Sequence, residues 1–260
     1  MVFVRTKNLS LSGMLLTILI GLGMTAVWTS AAQAGNWRVM PIKIFFDTRT
    51  RSEVITVTNA GDQPLALEVT AMEWTQDPQG RDIYKPAADL IFFPKQLTVG
   101  PKKERVIRTG IKVPAINREK TYRLFIKEVP DRSQSAPNAV AIAIQFGVPI
   151  FVKPVKEEIQ GEILNPQVAG GQLRLSVANT GNSHFRIGTV GATGVDAAGE
   201  SIYSEEVRGG YLLPGSVNEF SIPIEPEVCN HLKAIDIRMD SEQLHLEKKL
   251  DINPAQCGVQ

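Results

Sequence analysis

Few residues of the sequence have the types and spacing that catalysis requires. The three histidines, His184, His231 and His245, lie far apart and lack the spacing of metal ligands, so we interpret them as surface residues. No serine occupies a Gly-x-Ser-x-Gly elbow, and the acidic pairs Glu157-Glu158 and Glu205-Glu206 fit solvated loops or strand ends. The sequence therefore predicts a protein that is not an enzyme, with no catalytic residues, no metal and no cofactor.

The two cysteines allow one further kind of chemistry. Cys229 and Cys257 both lie near the C-terminus, and in an oxidising compartment they most simply form a disulfide with each other. Closing that loop would stabilise the fold by roughly 3–4 kcal/mol. The alternative is a pair of reactive thiols, but no basic or helix-N-terminal setting that would lower a thiol pKa is evident.

The most unusual segment could bind another chain rather than react. From Asn138 to Val152 there is no charged residue, and bulky side chains alternate with small or polar ones. This period of two predicts a long β-strand with one bulky face. Such an uncharged strand is an aggregation hazard at the edge of a sheet. It therefore belongs either to the core of its own domain or to an interface with another protein.

The beginning of the chain indicates the compartment. Arg5 and Lys7 precede an apolar run, and Ala32-Gln33-Ala34 has the small-x-small form of a cleavage site. This pattern predicts a signal peptide over residues 1–34 and a secreted protein; an uncleaved anchor is the alternative. The net charge of +1 gives no indication of a nucleic-acid partner.

The remaining sequence consists of short strands separated by turns. Strand patterns such as Glu53 to Thr58 and Tyr122 to Val129 alternate with turns such as Asn59-Ala60-Gly61-Asp62. A first strand is expected from Val39 to Phe46. We predict an all-β chain with two immunoglobulin-like sandwiches, at 35–154 and 155–260. The first has no cysteine, which excludes the disulfide of antibody domains.

Four stretches, in this order, resemble the periplasmic chaperones of the chaperone–usher pilus pathway. They are Ile42 to Asp47, Val54 to Asn59, Tyr122 to Pro130 and Val140 to Pro154. The resemblance covers essentially the whole chain after the signal peptide. It implies two sandwiches in an L or boomerang arrangement and a donor strand that completes the unfinished sheet of a pilus subunit. The donor side chains would be Val140, Ile142, Ile144 and Phe146.

The resemblance also implies basic residues that hold the C-terminal carboxylate of the subunit. The family pairs an arginine on the first strand with a lysine on the donor strand, whereas this chain has Lys43 and Pro149 at those positions. Proline carries neither a charge nor an N–H group. We expect Lys43 with Arg123 to form the anchor, and Arg108 is the third candidate. The departure resembles the archaic or spore-coat-type branch of the family.

Glu119 and Lys153 match family positions where a charge pair fixes the angle between the domains. The expected partners are pilus or spore-coat-like subunits and an outer-membrane usher, with a self-capping homodimer when the chaperone is unbound. The other function class is a secreted structural or adhesive protein built of two sandwiches. In that protein the uncharged strand would serve only as core.

Overall fold

The computed structural model describes residues 36–77, 79–130 and 142–257. The predicted signal peptide and Val140 of the predicted donor strand lie outside these residues. Among the described helices, none combines the length and the hydrophobicity that a membrane crossing would need. The chain is all-β and forms two immunoglobulin-like sandwiches, as the sequence predicts.

Two sheets face each other in the first sandwich. One has the strand order β1-β3-β8-β6, and the other has the order β2-β10-β9-β4-β5, with β7 also paired to β4. The bounds are β1 Trp37–Met40, β2 Ile44–Phe46, β3 Ser52–Asn59, β4 Leu65–Gln76, β5 Asp82–Pro86, β6 Leu90–Phe93, β7 Gln96–Val99, β8 Glu104–Ile111, β9 Lys120–Glu128 and β10 Gln145–Val152.

In the first sandwich, every second side chain along a strand is buried, and these side chains form the hydrophobic core. In β4, the residues at positions 65, 67, 69 and 71 are buried and their neighbours are exposed, as period-two burial of one sheet face requires. Val148, Ile150 and Val152 of β10 belong to the same core. The core interpretation of the uncharged segment therefore holds for the second half of β10.

The second sandwich has its own pair of sheets and its own core. One sheet has the order β11-β12-β16, and the other has the order β14-β13-β17-β18, with β15 paired to β13. The bounds are β11 Gly161–Ala169, β12 Gln172–Asn179, β13 Phe185–Val195, β14 Ser201–Arg208, β15 Tyr211–Leu212, β16 Val217–Pro223, α1 Pro226–His231, β17 Ala234–Ser241, β18 His245–Asp251 and a 3-10 helix Pro254–Gln256.

The disulfide predicted from the sequence is present. Cys229 in α1 and Cys257 are bonded, with their Cα atoms 5.6 Å apart, and both residues are buried in the second core. The bond ties the short helix to the end of the described chain. The predicted boundary between residues 154 and 155 falls in the connection from β10 to β11, and the domain limits remain a prediction.

The predicted first strand, Val39 to Phe46, is wrong as a single element. The structure divides it into β1, which pairs with β3, and β2, which runs parallel to β10 in the opposite sheet. The chain crosses between the sheets at Pro41, which follows a cis peptide bond. Because proline has no N–H group to donate, it suits a crossing point rather than a paired strand.

Candidate functional site

The strand β10 is paired on both sides in only part of its length. Its whole length pairs with β9, but β2 covers only Ile150, Phe151 and Val152. Within the described part of the chain, no strand pairs with the other edge of residues 145–149. A sheet edge is a template for another strand, so the first half of β10 offers a place where one could be added.

The hydrogen-bond pattern shows which backbone groups face this open edge. The carbonyl of Ile144 accepts a hydrogen bond from the backbone N–H group of Glu128 at 2.9 Å. The backbone N–H and C=O groups of the even-numbered residues of β10 therefore face β9. On the other side, the backbone N–H group of Lys153 donates to the carbonyl of Phe46 at 2.8 Å. The backbone N–H and C=O groups of the odd-numbered residues therefore face β2. Because bonding alternates along an antiparallel strand, Gln145 and Gly147 direct their N–H and C=O groups to the open edge. Pro149 has no N–H group to direct.

Exposed apolar side chains lie beside this edge. Ile142 is 81% exposed, and Phe146 is 36% exposed and packs edge-on against Trp37 with ring centroids 4.6 Å apart. Ile144 is half-buried against the first core. Met40 at the end of β1 and Ile42 in the crossing to β2 are exposed as well. Of the predicted donor residues, three are therefore described, and only Ile142 projects fully into solvent.

Two of the predicted anchor residues lie in one row across the sheet. Pro149 of β10 is directly opposite Arg123 of β9, and Ile150 is opposite Ile44 of β2. Lys43 precedes β2 by one residue, so the same register places it beside Pro149. With about 4.8 Å between strands, the backbones of Lys43 and Arg123 are about 10 Å apart. Long side chains can span that gap over Pro149.

Both cations point away from the first core. Tyr122, Ile44 and Ile150 point into that core, so Lys43 and Arg123 emerge on the opposite face of the sheet. The ammonium of Lys43 lies 5.6 Å from the ring centroid of Phe45. The structure thus brings Lys43 and Arg123 to one surface beside the open edge.

Arg108, the third candidate, is not part of this surface. It lies on β8 in the other sheet of the first sandwich, opposite Val54 and Phe93. Its neighbour Ile107 is fully buried, so the alternation of β8 turns Arg108 to the outer face of that sheet. The structure therefore does not bring Arg108 together with Lys43 and Arg123.

The predicted pair of Glu119 and Lys153 is also wrong. Lys153 forms an ion pair with Glu157 at 3.1 Å and lies 5.3 Å from the ring centroid of Phe45. Glu119 is buried and accepts hydrogen bonds from the backbone N–H group of His184 at 2.8 Å and from its Nδ1 at 2.8–2.9 Å. Glu119 is therefore hydrogen-bonded to His184 of the second sandwich and does not pair with Lys153.

His184 is the residue that the sequence interpretation placed wrongly at the surface. It is buried, and its ring stacks on Phe151 with centroids 3.6 Å apart and an interplanar angle of 9°. The ring of Phe45 lies beside both, with its centroid 5.6 Å from that of Phe151 and 6.3 Å from that of His184. An aromatic stack thus joins the face of β10 to the second sandwich.

Further contacts join the two sandwiches. Trp74 and Phe151 form a small apolar cluster with Leu213, and Tyr211 packs edge-on against Trp74 with ring centroids 5.4 Å apart. The side-chain amide of Gln76 donates to the carbonyl of Tyr211 and accepts from the N–H group of Leu213, both at 2.9 Å. Apolar packing and a two-way amide contact together hold the junction.

A cleft of about 540 Å³ lies at the same junction. It is lined by Trp74, Arg118 and Glu119 from the first sandwich and by Leu213 and Ser216 from the second. Neither Lys43 nor Arg123 is among its lining residues. The two cations therefore lie outside this cavity.

One sequence signal could have revealed that β10 is also buried on the face that points away from the first core. Ile44-Phe45-Phe46 and Ile150-Phe151-Val152 are runs of consecutive bulky residues where a strand with one solvated face would alternate. Such runs are typical of strands buried on both faces. Phe45 and Phe151 occupy the off-core positions, where Phe151 is fully buried and Phe45 is 38% exposed. No comparable pattern surrounds His184.

The two-sandwich fold, in which one edge of β10 is partly unpaired, is characteristic of a class of proteins. Residues 38–157 match the family of pili and flagellar-assembly chaperones, as its PapD N-terminal domain. The match covers the first sandwich.

One relative is similar over a longer part of the chain. The probable fimbrial chaperone EcpE of Escherichia coli is 24% identical over 221 residues, which cover 82% of this chain and 84% of the relative.

Solved structures have the same fold. One is from the CsuC–CsuE chaperone–tip subunit pre-assembly complex of the archaic Csu pili of Acinetobacter baumannii, with a TM-score of 0.56, 17% identity and coverage of 82% of this chain and 97% of that one. Another is the class 5 fimbriae chaperone CfaA, with a TM-score of 0.54, 13% identity and coverage of 82% and 98%.

Proposed function

We propose that this protein is a periplasmic chaperone that binds pilus or spore-coat-like subunits by donating the first half of β10 to their unfinished sheet. The observation that carries the proposal is the open edge at residues 145–149, beside which Ile142 is exposed. An incoming strand would bond to the backbone of Gln145 and Gly147. Ile142, Ile144 and Phe146 would enter pockets of the subunit, as strand addition requires.

The subunit would be anchored where the open edge ends. Lys43 and Arg123 flank Pro149, so a C-terminal carboxylate placed over Pro149 would lie between two cations. The side chains of β10 supply apolar area, at roughly 1.5–3 kcal/mol for each Val or Ile that becomes buried. The cations would set the register of the incoming strand.

The chaperone would then deliver the subunit to an outer-membrane usher. Exchange of the donated strand for one from the next subunit would release it without a cofactor. The departure from the family pair at Lys43 and Pro149 favours the archaic branch.

The proposal is tested by substituting the most exposed donor side chain. Ile142→Asp removes an apolar contact from a residue that contacts little in its own fold, so we expect the chaperone to remain folded. Co-purification with a pilus subunit encoded beside its gene should be lost. The matched control is Ile91→Asp, because Ile91 is 52% exposed on the other sheet.

The two outcomes of this experiment are distinct. Loss of the complex with Ile142→Asp but not with Ile91→Asp supports the donor role. A normal yield of complex from a folded Ile142→Asp variant would contradict it and favour a two-sandwich structural or adhesive protein.

A further inference from the structure

The indole of Trp37 covers part of one proposed donor side chain. Trp37 lies on β1 in one sheet of the first sandwich, and Phe146 lies on β10 in the other sheet. Their ring centroids are 4.6 Å apart and their planes are inclined by 79°, which is the favoured edge-to-face geometry of an aromatic pair. This Trp37–Phe146 pair therefore joins the two sheets at the end of β10 whose edge is open.

The pair reduces the exposure of the donor strand in the free protein. Phe146 is 36% exposed, whereas Ile142, which is four residues earlier, is 81% exposed. Apolar side chains at an unpaired strand edge promote association between copies of a protein. For Phe146, Trp37 therefore supplies within the free protein an apolar contact of the kind that a subunit pocket would supply in a complex.

Trp37 is the more firmly held member of the pair. It is buried in the first core, and in the pairing of β1 with β3 it is opposite Asn59. The side-chain amide of Asn59 donates to the carbonyls of Gln63 at 2.7 Å and Val99 at 3.0 Å, so this end of β3 is fixed to its surroundings. Phe146 lies instead at the partly exposed end of β10 that pairs with β9 alone. Of the two rings, that of Phe146 can therefore move away with the smaller disturbance.

The indole N–H group of Trp37 has no acceptor among the residues that the structure describes. Its Nε1 is buried and forms no hydrogen bond with any of them. A buried donor without an acceptor is destabilising, because it has lost its hydrogen bonds to water. Movement of Phe146 away from the indole would let water or a carbonyl of an incoming chain reach this donor. The pair is thus favourable in its apolar contact and incomplete in its hydrogen bonding, which suits a contact that is released on binding.

We propose that Trp37 is the positioning residue of the donor strand: it holds Phe146 in the free protein and releases it to a subunit. This inference rests on the proposed function, because the subunit supplies the pocket that Phe146 enters. It also defines the class of subunit, since the pocket beside the one for Ile144 has to accept an aromatic ring. Because the aromatic contact is broken on binding, the pair lowers the affinity for subunits and limits association between free copies.

Substitution of Trp37 separates this role from a general role in the core. Trp37→Leu keeps an apolar side chain in the first core but removes the edge-to-face contact. Its affinity for a subunit of the same pilus system, measured by titration calorimetry, should rise by about two- to tenfold, because the aromatic pair no longer has to be broken. A residue that only stabilised the fold would not strengthen binding when it is replaced. The free variant should also self-associate at a lower concentration in sedimentation experiments.

Two further variants serve as controls. Trp37→Phe keeps an aromatic ring against Phe146, so its affinity should stay within about twofold of that of the unaltered protein. Phe220→Leu removes an aromatic ring from the core of the second sandwich, where Phe220 is buried, and it should leave the affinity unchanged. A rise in affinity that both Leu variants shared would contradict the proposal, because a loss of stability alone would then explain it.

The unaltered protein provides a test that does not depend on the folding of any variant. In the free protein, the nuclear Overhauser effect between the rings of Trp37 and Phe146 should be strong, since their centroids are 4.6 Å apart. It should disappear in the complex with a subunit. The corresponding effect between Phe151 and His184, in the second half of the same strand, should persist.

The outcomes distinguish this role from strand donation itself. An unchanged or weaker affinity in a folded Trp37→Leu variant, or a Trp37–Phe146 contact that persists in the complex, would mean that the pair is a permanent part of the core. If Ile142→Asp still abolishes the subunit complex, strand donation stands and only the role of Trp37 is wrong. If Ile142→Asp leaves the complex intact, the proposed function is wrong and this inference falls with it.

Discussion

The imidazole of His184 lies flat against the ring of Phe151, with 3.6 Å between the centroids. Phe151 belongs to β10, so this contact fixes the second half of that strand to the second sandwich. From Val148 to Val152 every residue is buried, whereas Gln145, Phe146 and Gly147 are exposed. The strand is therefore held at one end and open at the other, which is the arrangement that a donated strand requires.

The first prediction concerns the buried pair behind that stack. Glu119→Ala removes the buried acceptor that is hydrogen-bonded to the backbone N–H group and the ring of His184, so the free energy of unfolding should fall by about 1.5–3 kcal/mol. Urea unfolding measures this change. Lys153→Ala is the control, since its partly exposed pair with Glu157 is worth about 0–1 kcal/mol. Equal losses for the two variants would contradict the assignment of the pair.

The second prediction concerns the anchor. Lys43→Met keeps an apolar stem but removes the charge, so subunit affinity should fall by about tenfold, as expected for one charge-assisted hydrogen bond. Titration calorimetry with a subunit of the same pilus system measures it, and the loss should shrink at high salt. Arg108→Met should bind normally, because Arg108 lies on the other sheet. If Arg108→Met weakened subunit binding as much as Lys43→Met, the proposed position of the anchor would be wrong.

The third prediction concerns pH. His245 is exposed, and its pKa is raised above 6.5 by hydrogen bonds first to Glu247 and then to Asp240. A raised pKa means that the protonated form is favoured in the folded state. Its stabilising contribution is therefore complete below the unfolded pKa and is lost as the pH rises through the folded value. NMR titration should show a lower pKa in the double variant Asp240→Asn, Glu247→Gln; an unchanged pKa would exclude this cause.

The alternation of residue types along the sequence was enough to predict much of the fold. The alternation along the uncharged segment predicted a β-strand, and the two cysteines predicted the disulfide. Alternation reports which face of a strand is buried, but it does not report how far a neighbouring strand extends. The short length of β2, which leaves half of β10 open, depends on where the chain crosses between sheets at Pro41.

The errors at the site have a common physical origin. His184 and Glu119 are 65 positions apart in the sequence, and their pairing depends on how the two sandwiches pack. No local periodicity encodes such a contact. Arg108 was grouped with Lys43 by charge and domain alone, whereas the sheet to which β8 belongs decides the direction of its side chain. Lys43 and Arg123 could be brought together because both adjoin the same strand.

The most direct test of the donated strand is hydrogen exchange of its backbone amides, with and without a bound subunit. In the free protein, Gln145 and Gly147 should exchange rapidly, and Val148 and Ile150, which bond to β9, should be protected. On binding, exchange at Gln145 and Gly147 should slow by about a hundredfold or more, as expected for amides that enter a ladder. Rapid exchange at both positions in a stable complex would contradict the account.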